Sequence, residues 1–124
     1  MGHFLSVFIG GGIGATTRYV FSFLIPQENV YLPFYTLTVN FLGCFLAGIF
    51  FTVLVTKANF NPCVKTFLIT GFCGGLSTFS AFSLEILEYI NAGNYVKAGL
   101  YSFISLLICI ISVILGVVLV KKYV

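Results

Sequence analysis

The sequence predicts an all-α integral membrane protein with four transmembrane helices, the third broken at mid-membrane. Three observations carry that prediction. Of the 124 residues, 60% are hydrophobic and 7% charged, with a mean hydropathy of +1.13. Water-soluble domains carry about 25% charged residues, so the composition excludes an ordinary soluble fold. Crossing the hydrocarbon core takes about 20 apolar residues per helix, and windows at about 4–25, 33–56, 63–90 and 97–120 meet that need. Lastly, the segment 70–82, TGFCGGLSTFSAF, places three glycines, two serines and two threonines inside the third window. In lipid, backbone groups freed by a broken helix survive only where protein or a polar cavity covers them. Broken helices at the midplane are where many transport proteins place ion sites, so permeation is the leading reading.

The first span opens with the run from Gly10 to Ala15, GGGIGA. It contains the pattern GxGxxA, which in a soluble enzyme marks a dinucleotide site. No strand precedes it and no βαβ unit follows. The favoured reading is a Gly10/Gly14 face that admits another backbone. Arg18 and Tyr19 follow. An intramembrane arginine is normally paired, snorkelled or functional, and polar groups and freed carbonyls near the third-span break are its candidate partners. The span lacks a basic leader and carries Arg18, which argues against a cleaved signal peptide.

The second span carries Thr36, Thr38 and Asn40, then Gly43 and Gly48. An asparagine amide in hydrocarbon needs partners, and it offers two N–H donors to whatever it faces. Thr36 lies one turn before it on the same face. Asn40 reads either as interhelical glue or as a ligand-facing donor.

The third span reads as two half-helices, 63–72 and 78–90, with the break at 73–78. Gly71, Gly74 and Gly75 are expected to supply the backbone freedom that frees carbonyls there. Phe79 and Phe82 share a face of the second half-helix, Ser80 and Ser83 lie alongside, and Glu85 and Glu88 follow. In the fourth span Tyr101, Ser105 and Cys109 recur at i, i+4 and i+8. That mildly polar stripe reads as a groove lining or as hydroxyls bonded back to their own helix.

The connections carry Pro26, Asn29, Pro33, Asn59, Asn61, Pro62, Asn91 and Asn94, turn residues that leave one membrane domain over 1–124. Cys44, Cys63, Cys73 and Cys109 form no CxxC pair, and His3 is the sole histidine, so zinc and disulfides are not expected. The cysteines read as small buried hydrophobes. The net charge of +3 is too dispersed for nucleic acid. Lys57, Lys65, Lys121 and Lys122 on one side, against Lys97 and Arg18 on the other, weakly favour a cytoplasmic N-terminus.

Taken in order, GGIGA with Arg18-Tyr19, Asn40 followed by Gly43, and the run 70–82 resemble the CrcB/Fluc fluoride channels across essentially the whole chain. The resemblance implies an antiparallel, dual-topology homodimer in the cell membrane that conducts fluoride passively out of the cell. It implies a fluoride pathway through Asn40, Phe79 and Phe82, with Thr36, Ser80, Ser83, Tyr101 and Ser105 as a polar track. The backbone carbonyls of Gly74 and Ser77 would hold a structural sodium ion at the dimer centre. Glu85 would lie near a pore mouth, and Arg18 is a structural or vestibule residue. Three positions depart from the family pattern: Ser77 stands where threonine is usual, Ala81 replaces a common threonine, and Cys109 replaces a serine.

Fluoride is small and strongly hydrated, so a pore must replace its water with donors. Amide, hydroxyl and phenyl-edge groups do so without a fixed positive charge that would hold the ion too tightly. The main rival is a four-span dimeric multidrug exporter. It needs a membrane-embedded carboxylate, and the first two spans contain none. A non-conducting assembly subunit leaves the concentrated break without a reason. An enzyme is not expected, because no nucleophile–base pair or carboxylate dyad lies in the spans.

Overall fold

In the computed structural model, which describes residues 2–25, 32–56 and 61–123, four helical spans are long and apolar enough to cross a membrane. The protein is a multi-pass membrane protein. Helix α1 runs Gly2–Leu24 and α2 runs Phe34–Thr56. The third span begins with α3, Pro62–Lys65, and continues as a π-helix over Thr66–Cys73. A single turn, α4, covers Gly74–Leu76, after which α5 takes Phe79–Asn91. The last helix, α6, is Tyr95–Tyr123. Pro26, Asn29, Lys57 and Asn59 lie outside the described residues.

Backbone contact between glycines holds the spans in two close pairs. A Cβ on Gly10 would sit 2.5 Å from the Phe67 carbonyl oxygen, and one on Gly75 would sit 2.6 Å from that of Gly11. Gly14 likewise faces the Phe72 carbonyl. The Gly10/Gly14 face therefore packs as its spacing predicts, with α1 laid directly on the π-helix and α4. The second pair is α2 with α6, where Gly48 meets the Val113 carbonyl and Gly116 meets that of Phe45.

This packing corrects the role expected of the third-span glycines. Gly71 and Gly75 are approach points for α1, and Gly74 has αR backbone angles. The sole positive φ among the described glycines belongs to Gly93, at +73°. There a Schellman turn closes α5, with Asn94 N–H on the Tyr89 carbonyl at 2.8 Å and Gly93 N–H on that of Ile90 at 2.9 Å. The first half of the span is also mostly π-helical rather than α-helical. The extended break is narrower than 73–78: only Ser77 (ψ 154°) and Thr78 (φ −146°, ψ 122°) leave the helix.

Caps explain both starts of the span. The Asn61 side chain accepts from Cys63 N–H at 2.9 Å with Pro62 at the first helical position. Thr78 restarts the helix by accepting from Ala81 N–H at 3.3 Å through its hydroxyl.

Candidate ion pathway

Asn40, in the second turn of α2, reaches the break. Its Nδ2 donates to the Thr78 carbonyl at 3.1 Å, and its Oδ1 accepts from Thr78 N–H at 2.6 Å. Gly43, one turn on, lets Ser77 approach, since a Cβ there would lie 2.9 Å from that of Ser77. The side-chain amide of α2 thus replaces the helical partners that Thr78 lacks. An asparagine carries two N–H donors; one is committed to Thr78, and one remains.

Two adjoining cavities open beside this clamp. The smaller, about 50 Å³, is lined by Asn40, Phe79, Phe82, Ser105, Leu106 and Cys109. The larger, about 180 Å³, is lined by Asn40, Cys44, Ser77, Thr78, Phe79 and Cys109. Neither lining includes a charged side chain. Ser105 is 6% exposed, and its hydroxyl, though close to that of Tyr101 one turn earlier, makes no hydrogen bond of acceptable geometry among the described residues. A buried, unpartnered hydroxyl costs about 1–3 kcal/mol, so a polar occupant of the small cavity has a waiting partner.

The phenylalanine pair is asymmetric. Phe82 is 7% exposed and packs against Tyr101 with ring centroids 5.3 Å apart. Phe79, at the same 5.3 Å from Phe82, is 75% exposed on the outer surface of the subunit. One ring is fixed in the core and the other is presented outward.

Glu85 ties α2, α5 and α6 together. Its Oε1 accepts from the Thr36 hydroxyl and its Oε2 from the Tyr101 hydroxyl, the latter at 2.5 Å. Thr36 and Tyr101 are both fully buried, and Tyr101 also stacks edge-on with Tyr89 at 6.0 Å. Bonds to a charged acceptor are roughly twice as strong as neutral ones. Thr36 and Tyr101 therefore have their donors committed to the carboxylate, whereas Ser105, one turn along α6, does not.

The remaining expected positions lie apart from the cavities. Ser83 is exposed and donates back to the Phe79 carbonyl at 2.9 Å. Ser80 is exposed with its hydroxyl 3.2 Å from that of Thr78. Arg18 is half-buried; its carbonyl accepts from the Tyr35 hydroxyl at 3.0 Å, joining α1 to α2. The third-span carbonyls do have displaced partners. Thr78 N–H, which would close a turn on the Gly74 carbonyl, is taken by Asn40. Ala81 N–H, which would do so for Ser77, is taken by the Thr78 hydroxyl. Gly74 is exposed and Ser77 half-buried.

Thr78 and Cys44 join the site without having been singled out for it. Thr78 had a signal, a threonine opening an apolar helix. Cys44 had none, because its place beside Asn40 and Cys109 depends on how α2 meets α6.

A protein-family model described as "CrcB-like protein, Camphor Resistance (CrcB)" matches residues 5–117. The chain belongs to the CrcB family. Similar proteins within it bear the name "Fluoride-specific ion channel FluC". The one from Azobacteroides pseudotrichonymphae genomovar. CFP2 is 43% identical over 116 residues, 93% of each chain. The one from Chlorobium chlorochromatii is 37% identical over 116 residues, 94% of this chain and 90% of the relative. In Escherichia coli K12 the relative is 41% identical over 103 residues, 83% of this chain and 81% of its own. The CrcB match takes in Asn40, the break, Phe79, Phe82, Glu85 and Ser105 alike.

Proposed function

We propose that this chain is a fluoride-selective channel that lets fluoride leave the cell passively, and that it catalyses no reaction. The observation that carries the reading is the small cavity, where the unpartnered Ser105 hydroxyl and the uncommitted Asn40 N–H share a lining with Phe79 and Phe82. The name shared by the relatives supports fluoride as the ion.

Fluoride shed of water needs several donors at once, and a wall without basic side chains binds it weakly enough to release it. Asn40 and Ser105 donate, and phenyl edges add a weak positive potential. Thr36 and Tyr101, anchored on Glu85, belong to the same polar track. Ser80 and Ser83 complete the track toward the membrane surface. A negative cell interior drives each exported charge by about 2.3 kcal/mol per 100 mV, so no pump is needed.

The working unit is an antiparallel homodimer in the lipid bilayer. The outward-facing Phe79 supports that assembly, because a pathway wall on the subunit surface needs a second copy to close it. The Gly74 and Ser77 carbonyls, their helical partners displaced, are hard oxygen donors of the kind sodium takes. With the same pair from the second subunit they would hold a structural sodium ion, supplying positive potential near the anion path.

The test is halide efflux from liposomes containing the purified protein, followed with fluoride and chloride electrodes. Rapid fluoride release with negligible chloride release is expected. No release of either ion from folded protein overturns the reading.

A further inference from the structure

Two thiols stand together in the wall of the larger cavity. Cys44 comes from α2, one turn beyond Asn40, and Cys109 from α6, one turn beyond Ser105. Neither is in a disulfide and both are half-buried. Both line the same cavity, on helices whose backbones meet closely at Gly48 and Gly116. The rest of that lining is Asn40, Ser77, Thr78 and Phe79, with no carboxylate and no imidazole. The histidine of the chain, His3, is elsewhere, 3.2 Å from the Thr66 hydroxyl. Hard cations need oxygen ligands in number, whereas soft d¹⁰ cations select sulfur. A pair of thiolates on facing helices suits an ion that takes two ligands in line.

We propose that Cys44 and Cys109 form a two-coordinate site for a thiophilic d¹⁰ cation, mercuric ion above all, and that the bound metal closes the ion pathway. Two S–H bonds break and two S–Hg bonds form. Two protons leave to solvent, and no electrons are transferred. The product, one Hg²⁺ with two thiolates, is neutral, which favours it in a medium where an unpaired charge is costly. Cuprous or silver ion bound by both thiolates keeps a net negative charge and is held less well. The closing of the pathway rests on the channel reading; the metal site does not.

Mercuric chloride titrated into the purified protein in detergent tests the site. The C63S/C73S protein keeps the pair and is expected to hold one mercury per subunit against a competing monothiol. Adding C109S should weaken binding on the order of 100-fold, the scale by which two linked contacts exceed one. Equal affinity with and without Cys109 overturns the site. If C63S/C73S does not fold, the wild-type protein against C44S and C109S gives the same comparison. In liposomes, one equivalent should stop fluoride efflux from protein bearing the pair, and a chelating dithiol should restore it. Metal bound with flux untouched overturns the closing alone, whereas absence of flux before any metal overturns the channel and leaves the binding result standing.

Discussion

Asn40 and Thr78 exchange two hydrogen bonds across 38 residues of sequence, one each way, so that a side chain of α2 completes the backbone of the broken third span. The same side chain lines both cavities. The amide that completes the broken span also faces both cavities, so substitutions there should disturb the fold and, on the channel reading, ion flux as well.

Asn40→Asp removes the Nδ2 donor and sets a carboxylate against the Thr78 carbonyl. A loss of about 1–3 kcal/mol is expected from the orphaned carbonyl, together with suppression of anion flux by like charge. Thermal unfolding in detergent and fluoride efflux check the two effects. Wild-type flux places Asn40 off the path.

Ser105→Ala should behave in the opposite sense in the two assays. Removing a buried hydroxyl without a partner lifts a cost of about 1–3 kcal/mol, so the melting temperature should hold or rise while fluoride efflux falls. A protein of lower stability and undiminished flux would show that the hydroxyl is structural.

Thr36→Val deletes one of the two donors to Glu85 while keeping the side-chain shape. A hydrogen bond to a charged group contributes about 1.5–3 kcal/mol, and a loss of that size is expected. Denaturant unfolding of this variant beside Tyr101→Phe measures it, and the double variant should fall short of the sum because both donors serve one carboxylate.

Phe79 and Phe82 separate stability from conduction. Phe82→Ile hollows a buried site and should cost about 1–3 kcal/mol, whereas Phe79→Ile, on a surface ring, should leave the isolated fold nearly unchanged. Both should cut fluoride flux, with the dimer retained on size exclusion. Unchanged flux in both removes the pair from the path.

Gly10→Val drives a side chain into the Phe67 carbonyl and should prevent α1 from docking. Gly12→Val, at a position where a Cβ meets nothing within 4 Å, should fold as wild type. Expression and monodispersity in detergent distinguish the two; equal behaviour would mean that α1 does not need the close approach.

The spans were legible because lipid demands length and apolarity, both written locally. The Gly10/Gly14 face was legible as well, but its partners were not. A glycine in a helix reads equally as a flexible point or as a missing side chain, and Gly71 and Gly75 are the second kind. The π-helix over Thr66–Cys73 leaves no periodic mark in so apolar a stretch. Spacing correctly set Tyr101, Ser105 and Cys109 along α6, yet it carries no information about which hydroxyl is already engaged. That is decided by Glu85, which takes the Tyr101 hydroxyl and does not reach that of Ser105. The partnership of Asn40 with Thr78 is likewise tertiary.

The interruption at Ser77 and Thr78 contains no proline, and the glycines before it have no left-handed backbone. Nothing local forbids a continuous helix there. Alone in lipid, the third span is driven to close the gap, since each unpaired backbone group costs several kcal/mol. Once α2 lies alongside, Asn40 satisfies Thr78 and the gap becomes tolerable. The break thus leans on a partner outside its own span: without Asn40 beside it, Thr78 would have an unpaired carbonyl and an unpaired N–H in the middle of the membrane.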